Sequence, residues 1–227
     1  QKRQEETHAM KIAILTSGIL PVPAVQGGAV ETLVDYYLDY NERHHLHDIT
    51  IYSVHHPLVE SRKERLSAVN HYHYVDTQSP LARLRKRLHG LTHRNTYYHY
   101  SMDYFLLSAM RAMRGQEFDA IVLENRPGFA LQLRGKTSAK LVYHLHNDFL
   151  NSTTPCGREL YQAATRIIAV SDFIRERAQA FDPEGGKCVT VYNGIDLSPF
   201  AAVPSVSREA MGFRATDFVL VFSGRLI

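Results

Sequence analysis

The chain has 227 residues, 44% of them hydrophobic, and a formal net charge of +3 with histidine neutral. That composition supplies enough apolar material for one large globular core. The charge is too small to indicate nucleic-acid binding, although it suits anionic ligands such as nucleotide diphosphates or acidic lipid headgroups. The sequence contains no apolar run of the roughly 20 residues that a membrane-spanning helix requires. The two cysteines, Cys156 and Cys188, have no metal-site spacing, and we expect reduced thiols in a cytosolic protein.

Residues 1–9 are polar and contain no apolar segment of the kind that a secretory signal needs, so we assign them to a tag or an extension. After them, short β-branched runs alternate with longer segments of helical spacing. This alternation predicts an α/β fold, a doubly wound and Rossmann-like parallel sheet that binds ligands at the carboxyl ends of its strands. The predicted strands are Lys11–Thr16, Asp48–Val54, His71–Val75, Asp119–Leu123, Lys140–His144, Arg166–Val170 and Cys188–Tyr192. The longest predicted helices are Ala29–Arg43 and Thr96–Met113.

A basic segment, residues 80–94, lies between the third strand and the second long helix. Its leucines recur at helical spacing, and its basic side chains project around them. One interpretation is an interfacial helix pressed on anionic lipid. The other, which is the commoner arrangement, is a surface helix whose leucines pack on the domain. The stripe consists of Leu81, Leu84, Leu88 and Leu91, and the basic side chains are Arg83, Arg85, Lys86 and Arg87.

The pattern changes after the last of these strands. Residues 196–216 contain proline, serine and alanine around a short predicted helix, Ser207–Met211, and predict a linker between domains. Phe218 begins an apolar run that is typical of a buried strand entering a glycine turn. A lone strand cannot satisfy its edge groups, so this one requires a sheet that the chain does not contain. We therefore predict a domain over residues 10–195, a linker over 196–216, and the first strand of a second domain over 217–227.

The loop after the first strand ends in Gly27 and Gly28, directly before a predicted helix. Backbone N–H groups at a helix start have no partners within the helix, and the helix dipole attracts an anion there. A glycine turn that only introduces the helix is the alternative. The spacing is not that of the G-x-G-x-x-G fingerprint, which disfavours a dehydrogenase. Glu31 is interpreted as a first-turn acid that the helix dipole stabilises.

Polar side chains also follow the later strands. His144 and His146 end one strand, and strand alternation predicts that they lie on the same face. Two such histidines could bind a metal, but no third ligand stands at a matching spacing, so we predict no metal site. Asn125 follows another strand and could contact a donor or an acceptor. Ser171 is predicted to be the N-cap of the helix that follows it.

Three segments together resemble the two-domain GT-B glycosyltransferases of the retaining family 4 type. They are Gly27-Gly28-Ala29-Val30-Glu31, Tyr192-Asn193-Gly194-Ile195-Asp196 and Phe222-Ser223-Gly224-Arg225-Leu226. The resemblance implies transfer of a hexosyl unit from a UDP- or GDP-sugar to a carbohydrate or lipid-linked acceptor, with anomeric configuration retained. It implies no cofactor and no catalytic metal, since the nucleotide sugar is a substrate. It also implies synthesis of cell-surface polysaccharide or lipopolysaccharide, in the cytoplasm or peripherally on the cytoplasmic face of an anionic membrane.

The resemblance also assigns roles to residues. A histidine at the position of His146 hydrogen-bonds the transferred sugar in the family, so His146 is the candidate catalytic residue. An arginine at the position of Arg225 clamps the nucleotide diphosphate, a task that suits a guanidinium. The candidate donor- or acceptor-binding residues are Gly27, Gly28, Asn125, His144, Ser171, Asn193 and Arg225.

Two other functions stay open. A non-hydrolysing sugar-nucleotide epimerase shares the two-domain architecture, but it needs several acids and histidines as acid/base groups, and the Y-N-G-I-D motif favours transfer. A non-catalytic module that binds a sugar or an anion is the alternative outside enzymes.

Overall fold

The computed structural model describes residues 9–64, 67–80, 82–84, 100–201 and 206–222. Within them, seven strands form one sheet in which every neighbouring pair is parallel. The strand order is β3-β2-β1-β4-β5-β6-β7. The strands are β1 (Lys11–Leu15), β2 (Asp48–Val54), β3 (His71–Val75), β4 (Ala120–Glu124), β5 (Lys140–Leu145), β6 (Arg166–Ala169) and β7 (Cys188–Thr190).

Helices connect these strands and follow the last of them. The described helices are α1 (Ala29–His44), α2 (Val59–Lys63), α3 (Tyr100–Ala112), α4 (Ala130–Leu133), α5 (Gly157–Ala163), α6 (Asp172–Gln179) and α7 (Ser198–Ala201). Two 3-10 turns occupy Pro127–Phe129 and Glu209–Met211. No helix among the described residues has the combined length and apolarity needed to cross a bilayer.

The predicted doubly wound α/β fold is confirmed, and the seven predicted strands are all present. The largest boundary difference is at β7, which ends at Thr190. Val191 still donates its N–H to the Ala169 carbonyl, but Val191 and Tyr192 are 54% and 68% exposed and continue outside the sheet. The second long helix begins at Tyr100 in the described part of the chain. Most of the basic segment lies outside the described residues.

Both faces of the sheet are buried around β1 because its side chains alternate between two clusters. Ile14 packs in the cluster that contains Val34 and Leu38 of α1. Leu15, the next residue, packs in the larger cluster on the other face, which contains Phe105 of α3. Burial on both faces explains why the predicted strands are nearly continuous apolar runs.

The chain divides into two compact units, residues 1–193 and residues 194–227. In the second unit, residues 217–222 form no strand, and Phe218 and Leu220 are 89% and 86% exposed. The expected strand is therefore not formed in the described residues, since a strand without a neighbouring strand cannot satisfy its backbone groups. The linker helix predicted over Ser207–Met211 is a shorter 3-10 turn. The predicted domain boundaries stay a prediction.

Candidate functional site

The strand order reverses at β1, which lies between β2 and β4. The loops that follow β1 and β4 therefore leave in opposite directions and open a crevice at the carboxyl edge of the sheet. Gly28 follows β1, Asn125 follows β4, and His146 follows β5. The topology thus brings three sequence-predicted site residues to the edge where doubly wound folds bind ligands.

Glu124, His144 and His146 form a cluster at this edge. Glu124 and His144 are register partners on β4 and β5, and His146 lies two residues further along the same face. His144 Nδ1 is 3.1 Å from Glu124 Oε2, and His146 Nε2 is 3.3 Å from the same oxygen. The two imidazole centroids are 4.3 Å apart. The prediction that both histidines share a face is confirmed.

The cluster is almost completely removed from solvent. The side chains of Glu124, His144 and His146 are 1%, 7% and 8% exposed. Burial alone would raise the pKa of Glu124, but the hydrogen bonds to His144 and then His146 outweigh it and hold that pKa below its ordinary value. Glu124 is therefore a buried carboxylate that stays ionised at neutral pH.

Asn125 fixes the backbone beside this cluster. It adopts a left-handed conformation with φ of 57°, which asparagine tolerates better than most residues. Its N–H donates to the His144 carbonyl, and its Oδ1 accepts from the N–H groups of His146 and Asn147 at 3.0 and 3.1 Å. Asn125 thereby joins the carboxyl ends of β4 and β5 and sets the position of the His146 backbone.

The loop after β1 provides a second buried carboxylate. Glu31 is 5% exposed and accepts a hydrogen bond from Ser17 Oγ at 3.3 Å. Burial raises the pKa of Glu31, and the charge of Glu124 raises it further, against the lowering effect of backbone and Ser17 hydrogen bonds. Glu31 lies in the first turn of α1, as the sequence predicts, but burial of its carboxylate opposes the stabilisation that the helix start provides.

Gly27 and Gly28 both have positive φ, at 74° and 105°. A Cβ at Gly28 would collide with the Glu31 carboxylate and lie 2.9 Å from Leu20 Cδ1, whereas one at Gly27 would meet no atom within 4 Å. Gly28 is therefore required by packing as well as by backbone conformation, while Gly27 faces open space.

A cleft of about 300 Å³ lies beside Asn125. Arg126 lies over the Phe149 ring, with the guanidinium carbon 5.4 Å from the ring centroid, and its Nε donates to the Ser17 carbonyl at 3.4 Å. The walls combine apolar side chains with a few polar groups, as is typical of small-molecule sites. The lining residues are Asn125, Arg126, Pro127, Gly128, Leu131, Phe149, Thr154, Pro155, Cys156 and Leu160.

The remaining predicted residues occupy different positions. Ser171 is the N-cap of α6 and its Oγ accepts from the Ile174 N–H at 3.3 Å, so its capping role is confirmed. Asn193 is exposed and belongs to no helix or strand. Arg225 lies outside the described residues. Cys156 is exposed, Cys188 is buried, and both are free thiols.

Sequence reasoning missed the link between Glu124 and the two histidines. Twenty positions separate Glu124 from His144, and no linear spacing rule connects them. The available signal was the sheet itself: if β4 and β5 are taken as adjacent parallel strands, their last residues become neighbours. Glu124 could therefore be recognised as a third residue beside the two histidines only once the strand order was known.

A family model described as Glycosyltransferase Family 4 matches residues 44–199. This range runs from the end of α1 through β7 and includes the Glu124, His144 and His146 cluster. The chain belongs to Glycosyltransferase Family 4.

Two curated relatives come from Bacillus subtilis (strain 168). The protein named "Putative glycosyltransferase YtcC" is 26% identical over 230 residues, covering 96% of this chain and 49% of the relative. "Spore coat protein SA" is 24% identical over 230 residues, covering 96% of this chain and 53% of the relative. The family 4 chain described here thus spans about half the length of both.

Solved structures of low identity also match. Anabaena Alr3699/HepE in complex with UDP-glucose is 15% identical with a TM-score of 0.47, covering 83% of this chain and 45% of that one. A UDP-glucosyltransferase from Polygonum tinctorium is 9% identical with a TM-score of 0.48, covering 90% of this chain and 56% of that one. The family assignment rests on the family model and not on these likenesses.

Proposed function

We propose that the chain is the acceptor-side, N-terminal half of a retaining GT-B glycosyltransferase. The enzyme moves a hexosyl unit from a UDP- or GDP-sugar to a carbohydrate or lipid-linked acceptor, in synthesis of a cell-surface polysaccharide or lipopolysaccharide. The observation that carries the proposal is the family match over residues 44–199, which contains the histidine cluster at the carboxyl edge of the sheet. The nucleotide sugar is a substrate, and the transfer requires no cofactor.

His146 is the residue proposed to contact the transferred sugar. It follows β5 at the edge where a doubly wound sheet binds its ligand, and Asn125 fixes its backbone. Glu124 accepts from Nε2, which orients the ring, so that the opposite ring nitrogen is the one that can meet a hydroxyl. A ring oriented before the substrate arrives can stabilise a transition state without the cost of reorganisation.

The donor diphosphate and the acceptor are assigned to different parts of the crevice. Gly27 has open space around it at the start of α1, where an anion is favoured, and we assign it with Gly28 to the donor phosphates. The other candidate residues keep the roles that the family resemblance implies. Arg225 is proposed to bind the donor diphosphate, and Asn193, Ser171 and His144 to bind donor or acceptor. The cleft beside Asn125 has the size and apolar lining for part of the acceptor.

The enzyme is proposed to work in the cytoplasm, peripherally on an anionic membrane. Of the basic segment, the structure describes residue 80 and the helical residues 82–84. Ala82 is buried there, whereas Leu84 is 55% exposed and Arg83 is also exposed. An exposed leucine beside an exposed arginine is the arrangement expected of an interfacial helix, and it supports this part of the proposal.

The test is a screen of nucleotide-sugar donors with the full-length protein, which we expect to be as long as the curated relatives. We expect acceptor-dependent release of UDP or GDP and, by NMR of the product, an anomeric configuration equal to that of the donor sugar. Conversion of a UDP-sugar to its epimer without any acceptor would instead identify an epimerase. Binding of nucleotide sugar or anion with no product from any donor and acceptor pair would identify a binding module.

A further inference from the structure

The histidine pair at the end of β5 has a third potential ligand in the folded chain. Glu124, His144 and His146 each offer one donor atom, and all three atoms lie within 4.8 Å of one another. We propose that Glu124, His144 and His146 form a binding site for Zn²⁺ or a divalent ion of similar preference. This proposal goes beyond the proposed transfer reaction, which needs no metal, and does not depend on it.

The donor spacings are compatible with an ion. Glu124 Oε2 is 3.1 Å from His144 Nδ1 and 3.3 Å from His146 Nε2, and the two histidine nitrogens lie within 4.8 Å of each other. Tetrahedral zinc with metal–ligand distances of about 2.0–2.2 Å separates its ligand atoms by roughly 3.3–3.5 Å. An ion would replace the two hydrogen bonds to Glu124 and would require the three donor atoms to adjust to this common separation.

The scaffold places the ligands without flexible segments. His144 and His146 lie two residues apart on one face at the end of β5, and Glu124 is the register partner of His144 on the adjacent strand. Asn125 fixes the backbone between the two strand ends through three hydrogen bonds. Ligands that are held by a rigid scaffold lose little conformational entropy when they bind an ion.

The chemistry of the three donors selects the class of metal. Two imidazoles and one carboxylate suit zinc, cobalt and nickel, whereas calcium and magnesium prefer oxygen ligands alone. Three protein ligands are the number found in open zinc sites, where water takes the fourth position. The ion therefore keeps one exchangeable ligand.

The burial of Glu124 favours a cation. Its side chain is 1% exposed, and buried carboxylates are costly unless they are paired or coordinate a metal ion. A divalent ion held by the three ligands would supply positive charge at this carboxylate.

The experiment uses the untagged chain after dialysis against EDTA, so that neither an affinity tag nor residual metal contributes. Co²⁺ is titrated and followed by its visible absorption, and Zn²⁺ affinity is measured by competition with a chromophoric chelator. We expect one site per chain with the intense bands of four-coordinate Co²⁺. Glu124→Gln, and His144→Ala combined with His146→Ala, should each weaken binding at least about tenfold, because each removes one or two ligands.

A matched control is present on β3, where His71 and His73 form a second H-x-H pair that is exposed to solvent. His71→Ala combined with His73→Ala removes two histidines of the same spacing and should leave the affinity unchanged. Zn²⁺ should also raise the melting temperature of the wild-type chain and of this control, but not of Glu124→Gln. Circular dichroism checks that every variant is folded, and His146→Ala alone, which changes the outermost ligand, replaces any variant that is not.

Three results would overturn the proposal. The first is wild-type Co²⁺ absorption that is weak and octahedral in type. The second is equal affinity of wild type and the folded ligand variants. The third is loss of the site in the β3 control, which would place the ion on the surface pair.

Discussion

The ring and the backbone of His146 each contact a residue at the carboxyl edge of the sheet. Its ring bonds a carboxylate that is 1% exposed, and its N–H bonds the side chain of Asn125. Removal of the ring therefore has two separable consequences: loss of a group at the crevice, and loss of one partner of a buried charge. Activity per folded molecule distinguishes them.

We predict that His146→Ala lowers the turnover of the full-length enzyme at least about tenfold, or roughly 1.4 kcal/mol of transition-state stabilisation. The variant should also lose on the order of 1–3 kcal/mol of unfolding free energy, because Glu124 loses one of the two histidine partners that the described residues give it. Turnover is measured at saturating donor and normalised to the folded fraction. Normal turnover per folded molecule would make His146 purely structural.

The two glycines before α1 provide a matched pair of substitutions. Gly27→Ala should cost about 1 kcal/mol, because a left-handed backbone is strained for alanine but no atom meets its Cβ. Gly28→Ala should cost at least about 2 kcal/mol, because φ of 105° is less accessible and the Cβ meets Leu20 and Glu31. Urea denaturation of both variants measures the difference. Equal losses would mean that the loop relaxes around the added methyl group.

A buried acid on α1 yields a pH-dependent prediction. Asp35 is 5% exposed, and burial raises its pKa despite a hydrogen bond from the Ala24 N–H and the nearby Arg62. Its folded pKa thus exceeds the unfolded value, so the carboxyl's contribution to stability is present at low pH and is lost as pH rises through the folded pKa. Asp35→Asn does not titrate. The unfolding free energy of Asp35→Asn minus that of wild type should therefore increase from pH 4 to pH 7, by on the order of 1 kcal/mol.

Urea denaturation at both pH values gives the double difference, in which all other titrating groups cancel. The ion pair with Arg62 is a minor loss in the variant, since that side chain is 52% exposed. A relative stability of Asp35→Asn that is constant or falls toward pH 7 contradicts the raised pKa.

At the scale of elements, the strands were predictable and the site was only partly so. β2 and β3 have the predicted boundaries, and polar residues flank both strands. β2 is a nearly continuous buried run, whereas β3 alternates exposed histidines with half-buried tyrosines. Asn125 and His146 were predictable as strand-end residues, and Gly28 was predictable as a helix-start residue. The contact between Glu124 and the histidines was not, because it depends on the adjacency of β4 and β5, a property of the sheet and not of either segment.

The same reasoning explains the failures at the chain's later elements. Tyr192 was assigned to a strand from its apolar neighbours, yet its hydroxyl bonds the exposed Asp172 outside the sheet at 2.6 Å. Residues 217–222 have strand composition but no strand partner in the described part of the chain. The composition of a segment indicates whether its side chains tend to be buried in a sheet. The segment forms a strand only if a neighbouring strand pairs with it.

The basic segment is the element with a prediction of its own. If the basic segment, residues 80–94, forms an interfacial helix, the chain should bind vesicles that contain anionic lipid. It should dissociate from them as the salt concentration rises, because salt screens the attraction between basic side chains and lipid headgroups. Replacement of Arg83, Arg85, Lys86 and Arg87 by Gln should abolish sedimentation with vesicles and leave the circular dichroism unchanged. Wild-type chain that stays in solution with anionic vesicles at low salt would mean that the leucines pack on the domain.

At the scale of the whole molecule, the division of labour in the proposed enzyme predicts that this chain alone transfers no sugar. The chain spans about half the length of its curated relatives. We assign the donor phosphates to Gly27 and Gly28 of this chain, and we expect the nucleoside of the donor to bind the other half of the full-length enzyme. Effective catalysis requires the donor and acceptor to be held together within a near-attack geometry, which can contribute several kcal/mol that one binding surface does not supply.

The measurement compares the 227-residue chain with the full-length protein at equal concentration, using the donor and acceptor pair found in the screen. We expect turnover by the chain alone to be at least about a thousandfold lower, equivalent to roughly 4 kcal/mol of activation free energy. Addition of the separately produced remaining part should recover some of that activity if the two parts associate. Turnover by the chain alone within tenfold of the full-length enzyme would show that its own crevice, with Gly27, Asn125 and His146 at its edge, binds donor and acceptor together.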